Sequence, residues 1–308
     1  MKAIRTHDSS AGIAGLVYED VPDAKAGLCE VLIKVVACGI THNELDWPIW
    51  TCRAGHRREA IIPGNEVSGV VAAVGFGTAG FAIGDEVYGL NDQLRDGAAA
   101  EFVAIEARNL ARKPVSLDHI HAAAVPRAGL TAWKALFDHG KLEKGQTVVI
   151  HGAGGAVGSV AAQLAHWAGA EVIGTGREHS RELAAGLGVD RYLALDNGEK
   201  LEDVAGQADL VVDTVGGEVL TGSSVLLRPG GILITIKAAS EFPTDRDDIA
   251  KIVFVQLPNR DQLAELARLI DEGVLKPQVG AVYPLAEATA AFTTKAAGGV
   301  PGRMILQP

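Results

Sequence analysis

The sequence predicts an α/β protein of two domains, an antiparallel β-barrel and a doubly wound parallel sheet. Three observations carry that prediction. Thr147–Gly158, TVVIHGAGGAVG, joins a β-branched run to four glycines. Strand-like and helical segments then alternate through Leu257. The first 121 residues break instead into short apolar runs separated by proline and glycine.

Val148, Val149 and Ile150 read as a buried parallel strand. Val157, Val160, Ala161, Leu164 and Ala168 then recur at helical spacing. Strand, glycine turn and helix lay a pyrophosphate against a helix N-terminus, where unpaired N–H groups and the dipole favour an anion. Gly152, Gly154, Gly155 and Gly158, with Ala156 and Val157, are the expected cradle, since a side chain would hold the phosphate off the backbone. The spacing departs from strict G-x-G-x-x-G, so the context matters. Strands are expected at Glu171–Thr175, Tyr192–Leu195, Asp209–Val215 and Gly231–Ile236, the last after the turn Arg228-Pro229-Gly230, with helices at Arg181–Leu187 and Val219–Leu227. That alternation is a doubly wound sheet. No Gly-Lys-Ser/Thr follows the glycines, which excludes a P-loop.

Earlier in the chain, Val31–Cys38, Val67–Val74, Glu86–Tyr88 and Phe102–Ile105 read as barrel strands. Alanine-rich helical sequence begins near Ala122, and Lys251–Leu257 reads as a further strand of the sheet. Helix Asp261–Glu272 follows, capped at Gly273, and Gln278–Tyr283 and Arg303–Leu306 return to short strands. The expected division is a barrel domain of residues 1–121 completed by 274–308, with a nucleotide-binding domain of 122–273 inserted. The default active site is the cleft between them.

At 308 residues the chain can hold two cores, and its 48% hydrophobic and 21% charged residues are an ordinary globular balance. A formal net charge of −10 argues against nucleic acid as a partner. Cys29, Cys38 and Cys52 give neither a disulfide framework nor a zinc-finger spacing. No apolar run is long enough to span a bilayer, so a cytoplasmic protein with no membrane partner is expected.

Two further stretches carry a resemblance. Pro63–Gly89, PGNEVSGVVAAVGFGTAGFAIGDEVYG, resembles the PGxExxGxVxxVG…F…GDxVxG run of the medium-chain dehydrogenase/reductase superfamily. Ala122–Leu136, AAAVPRAGLTAWKAL, resembles the hinge before that family's nucleotide domain. The subgroup it is similar to is the zinc-independent, zeta-crystallin-like quinone oxidoreductases. The resemblance implies a GroES-like barrel plus a Rossmann domain and covers essentially the whole chain.

In zinc-dependent relatives the barrel and hinge carry a catalytic Cys, His and Cys. The matching positions are Thr41, Asn65 and Arg127; neutral Thr and Asn are poor ligands and Arg is a fixed cation, so no zinc is expected. Cys38 and His42 lack further ligands, and His119 and His121 read as linker residues. The second strand ends Gly176-Arg177 with no acid before Glu178. Small residues leave room for a 2′-phosphate that Arg177 can meet, favouring NADPH over NADH, although Glu178 could turn inward. By resemblance, His42, Thr131, Val215, Gly216, Ile236, Lys237, Ala238 and Arg303 join the cofactor contacts.

The implied reaction is hydride transfer from NADPH to a small electrophilic acceptor, a quinone or an α,β-unsaturated carbonyl. Without zinc, Arg127 is the candidate to stabilise charge on the acceptor oxygen, helped by Thr41 or Asn65; the alternative is a structural ion pair with Glu66. Asn43 is also expected to face the cleft, and Trp47, Trp50 and Tyr88 to line the substrate pocket. Pro48 and Ile49 lie between those tryptophans, and packing under the barrel is the other reading of that apolar loop. Competing functions are an enoyl-thioester or alkenal reductase, a non-catalytic NADPH-binding protein of crystallin type and, third, a zinc alcohol dehydrogenase. The apolar segment Ile252–Leu257 is expected at a sheet edge, pairing two copies into a homodimer.

Overall fold

The computed structural model describes residues 1–41, 44–46, 52–53, 56–57, 60–237, 242, 244–298 and 300–308. His42, Asn43, Trp47, Pro48, Ile49, Trp50 and Ala238, all expected near the site, lie outside the described residues. The chain divides into two units. One comprises Met1–Arg127, Leu257–Glu272 and Pro277–Pro308; the other Ala128–Gln256 and Gly273–Lys276.

The first unit is the barrel. Its strands are β1 (Lys2–Thr6), β2 (Leu16–Asp20), β3 (Glu30–Ile40), the two-residue β4 (Cys52–Arg53) and β5 (His56–Arg57), β6 (Glu66–Val74), β7 (Glu86–Leu90), β8 (Phe102–Glu106) and β9 (Leu110–Arg112). The sheet unit supplies β10 (Thr147–His151), β11 (Glu171–Gly176), β12 (Arg191–Ala194), β13 (Ala208–Asp213), β14 (Leu227–Thr235) and β15 (Ala250–Val253), and the barrel is completed by β16 (Val279–Pro284) and β17 (Arg303–Gln307). β17, β3, β6, β7 and β9 are antiparallel neighbours in that order, β8 pairs with β3, and β16 runs parallel to β17. Val31, Ile33, Val35, Val67, Val71, Ile105 and Phe292 share one core. Each fully buried side chain of this kind contributes about 1.5–3 kcal/mol.

The second unit is a six-stranded, all-parallel sheet in the order β12-β11-β10-β13-β14-β15. Strand β10 is buried throughout, as its β-branched run requires. The helices, in chain order, are α1 (His119–Ala123), α2 (Pro126–Trp133), α3 (Ala156–Trp167), α4 (Arg181–Gly186), α5 (Gly217–Gly222), α6 (Arg260–Asp271) and α7 (Ala288–Ala297). Residues 158–165 of α3 are all buried, so this helix is enclosed on every side rather than amphipathic there.

Several expectations need correction. The stretch Lys251–Leu257 is a strand only as far as Val253, because its partner β14 ends at Thr235, opposite Val253. Arg228-Pro229-Gly230 does not precede β14 but lies within it, beside an irregularity opposite Ala208–Leu210. His119 and His121 are helical, not linker: the Asp118 side chain caps α1 by accepting the His121 N–H, and His119 bonds Ser68 and Glu86. Helix α6 belongs to the barrel unit rather than to the sheet unit. The Tyr88 hydroxyl donates to Leu263 O, and Asp271 accepts the backbone N–H groups of Val115 and Ser116. Its end at Gly273 is as expected, with φ of 78° supplying the left-handed residue.

Candidate active site

The glycine turn in the sheet unit is built for close backbone approach. Gly152 has φ of 74° and its N–H donates to Thr175 O. A Cβ there would lie 2.6 Å from Thr214 Oγ1, and one on Gly154 would lie 2.5 Å from Ser180 Cβ. At Gly155, the N-cap of α3, a Cβ would meet only Gly152 O, at 3.1 Å, and no side chain caps the helix. The first turn of a twelve-residue helix thus opens onto bare glycine backbone, the donor set that suits a pyrophosphate.

Behind this turn lies a polar network at the carboxyl ends of the parallel strands. Asp213, ending β13, is fully buried; Oδ1 accepts the N–H groups of Val215 and Gly216, and Oδ2 accepts the Thr235 hydroxyl at 2.7 Å. It therefore fixes the Val215-Gly216 turn. His151, ending β10, is buried with Nε2 3.0 Å from Ser223 Oγ and Nδ1 2.8 Å from Thr175 Oγ1. The Ser223 hydroxyl donates to Val219 O, so His151 Nε2 must be the donor and Nδ1 the acceptor. The ring is neutral, its pKa pushed down to about 4 by burial despite nearby Asp213. Ile236 and Lys237 continue from β14, and the Lys237 N–H donates to Thr235 Oγ1. Thr131, on α2, is buried.

Beyond β11 two arginines four residues apart behave differently. Arg177 is exposed and makes no side-chain hydrogen bond or ion pair among the described residues. Arg181 holds Glu178 through Nε, 2.9 Å from Oε1, and Nη2, 2.9 Å from Oε2. Its Nη2 also reaches Glu199, its Nη1 reaches Tyr192 O, and the guanidinium lies over the Tyr192 ring. Glu178 is therefore turned to Arg181 and not inward.

The barrel unit gathers Thr41, Asn65 and Arg127 around a buried cluster of charges. Glu66 is fully buried: Oε1 accepts the Arg127 backbone N–H at 2.9 Å, and Oε2 lies 2.9 Å from Arg303 Nη2. The ion pair anticipated for Arg127 is thus made by Arg303. Arg303, expected among the cofactor contacts, is 3% exposed and is committed to Glu66 and, at 3.4 Å, to Thr41 Oγ1. Tyr88 is no pocket residue either. It is 0% exposed, and burial raises its phenol pKa.

Arg127 Nε donates to Asn65 Oδ1 at 3.3 Å. Because a guanidinium can only donate, this fixes the orientation of the amide. Asn65 Nδ2 is then a buried donor with no acceptor among the described residues, an arrangement that ordinarily costs about 1–3 kcal/mol. Burial lowers the Arg127 pKa to about 10, so the cation persists at neutral pH.

Glu44 was not foreseen. It is fully buried, accepting the Thr41 N–H and the Gly64 N–H, both at 3.0 Å, and so ties together the segments that carry Thr41 and Asn65. Gly64, at φ of 84°, is the residue that can make this turn against Cys38. Burial pushes the Glu44 pKa up to about 7 and also raises that of Glu66, which Arg303 and Arg127 counter. Two guanidinium groups face Glu66, which carries at most one negative charge, and Glu44, only partly ionised near neutrality, a balance that favours an added negative oxygen. Among the described residues no three His, Cys, Asp or Glu groups come together as a metal site. Thr, Asn and Arg at the three ligand positions do not fit zinc.

Residues 27–115 match the alcohol dehydrogenase GroES-like domain and residues 187–306 the zinc-binding dehydrogenase family. The chain is 32% identical over 303 residues to an NADPH-dependent alkenal/one oxidoreductase, chloroplastic, from Arabidopsis thaliana, covering 94% of this chain and 74% of that protein. It is 29% identical to the quinone oxidoreductase of Rattus norvegicus, covering 99% and 97%. The structure of the quinone oxidoreductase from Coxiella burnetii superposes with a TM-score of 0.91 at 25% identity, covering 100% and 99%. The chain belongs to the medium-chain dehydrogenase/reductase superfamily, and it is an oxidoreductase.

Proposed function

We propose that this enzyme is a zinc-independent oxidoreductase that uses NADPH to reduce a quinone or an α,β-unsaturated carbonyl. One observation carries the reading: the buried Asn65 Nδ2, beside the Arg127 guanidinium, is a donor with no acceptor among the described residues. Such a donor suits an oxygen on which charge develops during reduction. The names of the plant and rat relatives support both acceptor classes.

The glycine turn, the α3 N-terminus, Val215, Gly216, Ile236, Lys237 and Thr131 would hold the dinucleotide, with Gly176 and Arg177 at its 2′-phosphate. NADPH, when bound, supplies the hydride. Asn65 donates to the acceptor oxygen through Nδ2, and Arg127 both orients that amide and adds positive charge. Thr41, whose Oγ1 already accepts from Arg303, is left with its proton to donate. An NADPH-oxidation screen with 1,2-naphthoquinone, an enone and crotonyl-CoA side by side, with and without a zinc chelator, tests the reading. Turnover of the first two, unaffected by chelator, is expected. Preference for crotonyl-CoA would reassign the enzyme to the enoyl-thioester reductases, and NADPH binding without turnover would make it a binding protein.

The homodimer is retained as part of the proposal. β15 stands at the sheet edge with Val253 exposed, and Val255 is exposed just beyond its end, an apolar edge suited to pairing with a second copy. Light scattering should give twice the chain mass; a monomer at micromolar concentration contradicts the pairing.

A further inference from the structure

We propose that Arg181 determines nucleotide specificity indirectly, by holding Glu178 away from the ribose so that Arg177 alone meets the 2′-phosphate. The inference rests on the cofactor reading above and deepens it. Glu178 is the first acid after β11, and an acid in this region of a doubly wound sheet is placed to accept from a ribose 2′-hydroxyl and to repel a 2′-phosphate. In this chain both of its oxygens face Arg181, with Asn197 Nδ2 at 3.4 Å from one of them.

Arg181 is itself largely engaged. Its Nε and Nη2 meet Glu178, Nη2 also meets Glu199, and Nη1 donates to Tyr192 O, so most of its N–H groups are already turned to partners other than a phosphate. The neighbouring acids are committed as well: Glu199 accepts the Ala194 N–H, and Asp196 accepts the Glu178 N–H at 2.7 Å. Arg177, anchored through its carbonyl by the Tyr192 hydroxyl at 2.9 Å, is the cation left over. Two arginines thus divide the work: one neutralises the competing acid, and the other recognises the anion.

The test measures dissociation constants for NADPH and NADH by calorimetry at low salt, on the wild-type chain, Arg181→Met and the double variant Arg181→Met/Glu178→Gln. Release of one carboxylate beside a doubly charged phosphate should lower the preference for NADPH over NADH about tenfold in Arg181→Met. The double variant should recover the wild-type ratio to within about twofold, since the released charge is then gone. Should Arg181→Met lower the melting temperature, Arg181→Gln, which keeps a polar amide but no charge, repeats the comparison. An unchanged ratio in the single variant overturns the inference while leaving the cofactor reading intact. So does a lowered ratio that Glu178→Gln fails to restore, because Arg181 would then contact the phosphate itself. A wild-type chain that binds neither nucleotide overturns both.

Discussion

A buried polar cluster in the sheet unit and one in the barrel unit are built in opposite ways. In the sheet unit Asp213 is surrounded by the N–H groups of Val215 and Gly216 and the Thr235 hydroxyl, and both nitrogens of His151 are engaged. In the barrel unit Glu44, Glu66, Arg127 and Arg303 are buried together, and Asn65 Nδ2 and Arg303 Nε find no acceptor among the described residues. A satisfied network rigidifies its surroundings; one with an uncommitted donor sacrifices stability for something outside the chain. The first arrangement is a scaffold for a turn, the second a site for chemistry.

The sharpest way to break this contrast is a pair of isosteric changes. Asn65→Asp keeps the oxygen that Arg127 needs and replaces the donor with an acceptor. It should lower kcat/KM for an enone by about a hundredfold, as loss of an oxyanion donor does, with little change in melting temperature. Asp213→Asn should do the reverse: an amide cannot accept from all of its present donors, so stability should fall by about 2–3 kcal/mol. Its chemical step should then slow only as far as the Val215-Gly216 turn loosens. Equal effects of both changes on kcat/KM and on denaturation midpoint would erase the distinction.

Acid and base should also act on the two units with opposite sign. The Glu44 pKa is raised by folding from 4.5 to about 7, so its contribution is present below 4.5 and lost as the pH rises through 7. That of His151 is lowered from 6.5 to about 4, so its contribution is present above 6.5 and lost as the pH falls through 4. For Glu44 the loss amounts to about 3 kcal/mol. Glu44→Gln should flatten the decline in denaturation midpoint between pH 5 and pH 8, and His151→Gln should flatten the decline on acidification. A Glu44→Gln profile parallel to wild type above pH 5 would contradict the assignment.

What was legible in the sequence follows from how local each signal is. Strand β10 and the glycine turn are written in adjacent residues, and their geometry is as expected. Helix α6 was legible as a helix but not in its allegiance, because the Tyr88–Leu263 bond joins residues far apart in the chain. The same long-range bond takes Tyr88 into the core rather than into a pocket. Glu44 was overlooked because its partners are backbone N–H groups, one of them Gly64 twenty residues away, and no side-chain pattern announces those. Asp213 and His151 did carry a signal: each is a polar residue ending an apolar β-branched run, where a parallel strand reaches its functional edge. The pairing of Arg303 with Glu66 is not legible either, because the two residues lie far apart in the chain and no local pattern announces the pair.

The central claim is that the bare glycine turn is a dinucleotide site in a working reductase. Calorimetric titration of the wild-type chain with NADPH tests it most directly. A single saturable site per chain, weakened when Gly155 gains a methyl group in Gly155→Ala, is the predicted result. Absence of heat with both NADPH and NADH would contradict the account.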